Sequence, residues 1–66
     1  MNASDERLRR MNDEIRALVA ARGDRRPHEL VPDVSAVMRR YGAAEPDTDG
    51  MLMWIEKTII EVDAQS

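Results

Sequence analysis

The sequence predicts an all-α fold, a small three-helix bundle, and three observations carry the prediction. Apolar residues recur at helical spacing in three separate stretches. Each stretch is bounded by capping residues, glycine or proline. No segment alternates apolar and polar residues with a second such segment to pair with. The helices are expected over about 5–22, 32–41 and 48–63. Residues 1–66 then make one domain in which every apolar stripe is buried against another helix, with oligomerisation completing the cover.

For the first helix, Ser4 is the expected N-cap, with Asp5 and Glu6 in the first turn where the positive end of the helix dipole favours them. Leu8, Met11, Ile15 and Leu18 follow at spacings of three, four and three, and Val19 widens the stripe. Asp5 with Arg9, and Glu6 with Arg10, are i to i+4 pairs in the favourable order. Gly23 is the expected stop, just beyond Arg22. The same stripe fits the seam of a dimeric coiled coil, but two heptads are too few to prefer that over packing within the subunit.

Asp24 to Pro32 reads as a connector rich in charge and proline, with room for a helical turn at Pro27 to Leu30. His28 falls in it as an ordinary connector residue. Pro32 suits the first turn of the second helix, where a missing N–H costs nothing. Val34, Val37, Met38 and Tyr41 then share one face, Leu30 and Val31 sit beneath its start, and Gly42 ends it. Asp47 or Thr48 is the expected cap of the third helix, with Asp49 in its first turn. After Val62 the polar Asp63, Ala64, Gln65 and Ser66 are expected to fray.

The third helix differs from the other two because it is apolar on two sides. Met51, Leu52, Ile55, Ile59 and Val62 form one stripe, widened by Trp54 and Thr58. Met53 and Ile60, seven residues apart and so nearly in line, lie opposite, with Glu56 and Lys57 beside them. A helix apolar on two sides is usually covered from two sides. Thr58, Ile59, Ile60 and Val62 are β-branched, and Trp54 also favours sheets. Met51 to Ile55 shows no period of two, however, so helix is preferred.

Composition bounds the function. A domain of 66 residues buries only about 60% of the surface its unfolded chain exposes, so regular helix packing or association must supply stability. There is no cysteine and a single histidine, which excludes disulfides and thiolate or imidazole-rich metal sites. No apolar run is long enough to span a bilayer and no signal-peptide core is evident, so the expected location is cytoplasmic and no membrane partner is expected. The net charge is -3, but residues 1–42 carry nine arginines against seven acids and residues 43–66 carry six acids with Lys57. Such opposite patches can hold helices together or orient self-association.

One local motif points to chemistry. Glu45-Pro-Asp-Thr-Asp-Gly-Met-Leu-Met-Trp-Ile-Glu56 resembles the calcium loop of an EF-hand, which needs oxygen ligands at fixed positions, glycine at the sixth and glutamate at the twelfth. That resemblance implies Glu45, Asp47, Asp49 and Glu56 as side-chain ligands and Met51 as a carbonyl ligand. It departs from the pattern in having glutamate first, proline second and Met53 at the ninth place. Acids and a glycine before a helix also simply cap it, and the position of Gly50 separates the two readings: a sharp turn for calcium, a helix for the cap. Nothing else in the sequence implies a cofactor.

Two further patterns bear on possible partners. Val31 to Gly42 resembles the first helix of a helix-turn-helix DNA-binding motif, but the connection that follows is longer than three or four residues. The third helix also exposes Glu56 and Glu61, which phosphate repels, and this weighs against nucleic acid as a partner. Arg22, Arg25, Arg26, Arg39 and Arg40 are candidates to converge on an acidic ligand, and equally ordinary solvated residues. Enzymatic chemistry finds no thiol, no second histidine, no glycine-rich phosphate loop and no evident base for a serine. The expected function is therefore a non-enzymatic protein-protein interaction module, a small homodimer or an accessory or regulatory subunit. Its expected interface is Met53, Trp54 and Ile60 of the third helix with Leu8, Met11 and Ile15 of the first.

Overall fold

Helices form where the three stripes predict them, and their ends differ in ways the local chemistry explains. The computed structural model describes residues 3–65 and comprises α1 (Ala3–Ala20), α2 (Pro27–Arg40) and α3 (Thr48–Ala64). No strand occurs among the described residues. All three helices contact one another.

α1 is already helical at Ala3, so Ser4 lies inside the helix rather than at its cap. The residues ahead of Ala3 lie outside those described. The Glu6–Arg10 pair forms at 2.9 Å. The chain leaves α1 through Gly23 at φ +64, and the Arg25 N–H donates to the Arg22 carbonyl at 3.3 Å to close the turn. A positive φ is what glycine tolerates without steric cost.

α2 starts five residues earlier than expected, at Pro27 instead of Pro32. Pro27 takes the first helical position, where the backbone N–H has no intrahelical acceptor in any case. Glu29 holds the start: its carboxylate accepts from the Arg26 N–H at 2.8 Å, while the Glu29 N–H donates to the Arg26 carbonyl at 2.9 Å. Pro32 consequently sits within the helix on its exposed side, where water can reach the carbonyl left unpaired one turn back. His28 is likewise an exposed residue of the first turn. At the other end Gly42, at φ +68, forms a Schellman cap: its N–H donates to the Arg39 carbonyl at 3.1 Å and the Ala43 N–H to the Met38 carbonyl at 3.0 Å.

The earlier start of α2 brings Leu30 into the core. Met11, Ile15 and Val19 of α1 meet Leu30, Val34, Val37 and Met38 of α2 and Met51 and Ile55 of α3. Leu18, Val31, Tyr41, Trp54, Ile59 and Val62 pack around that cluster, each partly covered. Thr58 is buried with its hydroxyl satisfied, donating to the Trp54 carbonyl at 2.8 Å.

Ion pairs join the C-terminal ends of α1 and α3. Arg16 reaches Glu61 at 2.9 Å and the Gln65 side chain at 3.0 Å, and Arg22 reaches Asp63 at 3.2 Å. Asp63 and Gln65, in the segment expected to fray, are thus held by side chains of Arg22 and Arg16, and α3 runs to Ala64 with Gln65 as its C-cap; Ser66 lies outside the described residues. Among the described residues no helix is long and apolar enough to cross a membrane.

Ile55 is fully buried where the three helices meet. Ile55→Ala is expected to cost about 2–5 kcal/mol, a large fraction of the stability of so small a domain. Met53→Ala, on the opposite side of the same helix, should change it by less than about 0.5 kcal/mol. Urea denaturation followed by circular dichroism measures both, and equal losses would contradict the placement of the core.

Candidate functional site

The side of α3 turned away from the core carries Met53 and Ile60. They are 71% and 69% exposed, whereas Met51 and Ile55 are buried and Leu52, Trp54, Ile59 and Val62 are partly covered. One face of α3 is thus core and the other is an open apolar strip. Glu56, Lys57 and Glu61 border it. On one flank the strip continues into a shallow groove floored by Ile59, Ile60 and Pro27, with Arg22, Arg25 and Arg26 along its rim.

The expected contribution of α1 to this face is largely corrected. Met11 and Ile15 are buried at 6% and 1% exposure, because their stripe is used against α2 and α3. Leu8 is 51% exposed, but it lines a different groove with Arg7, Tyr41 and Gly42. Trp54 is half-buried beside Ile15 and Thr58 in a cleft between α1 and α3, so it belongs to the helix contact more than to the open strip.

The acidic loop takes the capping geometry. Asp47 is the N-cap of α3, its carboxylate accepting from the Gly50 N–H at 2.8 Å. Gly50 lies in the first turn of the helix, where the calcium reading needs it in a sharp non-helical turn. Glu45 is drawn back to Arg39 at 3.3 Å. Met51 is a core residue whose N–H donates to the Asp47 carbonyl at 2.8 Å, and Glu56 belongs to the open strip two turns further along. No group of three or more His, Cys, Asp or Glu side chains placed to hold a metal ion occurs among the described residues.

The five arginines divide between the two ends of α2. Arg22, Arg25 and Arg26 gather at its start, with Arg22 engaged by Asp63 and Arg25 by Asp33 at 2.9 Å. Arg39 and Arg40 lie at its end, paired with Glu45 and with Glu14 at 2.7 Å. The five therefore do not converge on one ligand.

A contact that periodicity did not foreshadow lies between α1 and the end of α2. Glu14 accepts hydrogen bonds from the Tyr41 hydroxyl and from Arg40, while Arg7 donates to the Tyr41 carbonyl at 2.7 Å. The Tyr41 hydrogen bond, helped by Arg40, holds the Glu14 carboxyl below its ordinary range against the opposing effect of partial burial. The same bond, with burial and the Glu14 charge, raises the Tyr41 phenol.

No protein-family model matches the chain, and no curated protein or solved structure is significantly similar to it.

Because the folded carboxyl of Glu14 titrates lower than it would in the unfolded chain, the contact adds stability above the ordinary carboxylate range and loses it as pH falls through the folded value. The stability advantage of the natural chain over Tyr41→Phe should therefore be present near pH 7 and shrink as pH falls below the ordinary carboxylate range. Urea midpoints measured across that range test it. A difference independent of pH would show that Glu14 and Tyr41 are not linked.

Proposed function

We propose that this chain is a non-enzymatic protein-protein interaction module that docks through the outer face of α3. The observation that carries the reading is the exposure of Met53 and Ile60, 71% and 69%, on the helix that also supplies Met51 and Ile55 to the centre of the core. Large apolar side chains aligned along one helix and left open to water lose free energy that a partner surface would return. Methionine suits such a face, since its unbranched thioether adapts to the shape it meets. Ile59 and Pro27 extend the apolar surface sideways, and the arginines at the rim of that groove favour a partner that presents carboxylates.

Size supports the same reading. These 66 residues have too few apolar side chains to surround their most hydrophobic helix, so a further protein surface is the natural cover. Small homodimers and accessory subunits of larger proteins share this property.

Met53→Glu and Ile60→Glu test the proposal. Each should leave helicity and melting nearly unchanged, since both side chains are already in solvent, yet reduce partner binding by at least about tenfold. Affinity capture from the native source, with native mass spectrometry of what is bound, compares each variant with the natural chain. Equal capture by Met53→Glu would remove the outer face of α3 from the account.

A further inference from the structure

Peroxides oxidise the sulfur of a side chain, and how fast they do so follows its exposure. The sequence has no cysteine, so its five methionines hold its only sulfur atoms. Met1 lies outside the described residues, and the fold separates the other four sharply. Met11, Met38 and Met51 are core residues at 6%, 3% and 2% exposure, whereas Met53 is 71% exposed. A buried thioether meets an oxidant only when the structure around it opens, which a packed core does rarely. The Met53 side chain is in solvent in the folded state itself.

We infer that Met53 is an oxidative modification site, and that its conversion to the sulfoxide switches the outer strip of α3 from apolar to polar. In that step the Met53 sulfur attacks one oxygen of hydrogen peroxide, a sulfur–oxygen bond forms and the O–O bond breaks. The departing hydroxide takes the proton from the oxygen left on sulfur, so water is the other product. The sulfur is oxidised and the peroxide reduced, and a flexible apolar side chain becomes a polar one.

The strip is sensitive to this change because Met53 and Ile60 are its two aligned apolar side chains, and Glu56, Lys57 and Glu61 already border them. A sulfoxide at position 53 joins that polar border. Ile60 is then left beside the half-covered Ile59 as a single exposed apolar residue, which is ordinary for a protein surface. The fold does not share the sensitivity. Met53 takes no part in the core, so the oxidised helix keeps its packing, while the same oxygen on Met51 would disturb the centre of the bundle. The modification therefore acts on the surface and not on folding, and methionine sulfoxide reductases can reverse it. Its consequence for a partner rests on the docking reading above; the site itself does not.

Dilute hydrogen peroxide applied to the folded full chain, followed by peptide mass spectrometry, gives an oxidation rate for each methionine. Met53 should oxidise at least about tenfold faster than Met11, Met38 and Met51, and the four rates should converge in urea. The chain oxidised at Met53, and Met53→Gln as a polar stand-in, should keep native helicity by circular dichroism. Both should nevertheless elute earlier than the natural chain from a phenyl hydrophobic-interaction column, with the immobilised phenyl group as the apolar probe. Met53→Leu should be retained like the natural chain, and reductase treatment should restore the retention of the oxidised one. Equal rates for the four methionines in the folded chain overturn the site, and oxidation at Met53 with unchanged retention overturns the switch. If oxidation is selective and shifts retention while Met53→Glu captures other proteins like the natural chain, the modification site stands and the docking reading falls.

Discussion

The structure depends on α3 being gripped from one side only. Ile55 and Met51 are sealed between α1 and α2, and Thr58 can join them because its hydroxyl is satisfied by the Trp54 carbonyl within the same helix. A helix held this way can be strongly apolar over its remaining surface only if something else covers it or if the exposed residues are tolerated. In α3 the remaining surface has Met53 and Ile60 aligned, not scattered, and alignment is what a docking face requires.

Charge follows the same division between what is satisfied inside the subunit and what is left over. The basic first part of the chain and the acidic last part are joined by Arg16 and Arg22 to Glu61, Gln65 and Asp63, so much of the asymmetry is resolved between α1 and α3. These contacts lie at the surface, where each contributes little to stability. Their structural effect is to tie down the last turn of α3. Glu56 and Lys57 lie outside that network and border the open strip, Glu56 on the side of the groove that Pro27, Arg22, Arg25 and Arg26 share.

Most of the fold was legible as periodicity. The stripes of α1 and α3 and the face made by Val34, Val37 and Met38 each repeat at helical spacing, and Gly23, Gly42 and Asp47 mark ends that local chemistry alone determines. The two-sided character of α3 was equally plain from Met53 and Ile60. What periodicity could not decide was the start of α2, because Pro27 and Pro32 both satisfy the rule for a first turn. Glu29 was the discriminating signal, since only a start at Pro27 places its carboxylate at the third helical position to hold the Arg26 N–H. Nor could spacing tell which part of the α1 stripe would remain free. Met11 and Ile15 face α2 and α3 while Leu8 falls at the edge of the bundle, a result of how the helices cross. The acidic loop was ambiguous for a different reason: carboxylates ahead of a helix serve a cap and a cation equally well, and only the helical backbone at Gly50 separates them.

Solvent contact at individual methyl groups of α3 probes the central claim most directly. Methyl NMR of the dilute protein with a soluble paramagnetic agent should strongly broaden the Met53 ε-methyl and the Ile60 δ1-methyl while leaving those of Met51 and Ile55 sharp. Protection of all four would mean that the helix is covered on every side within one subunit. That result would leave no open face for a partner and would contradict the account.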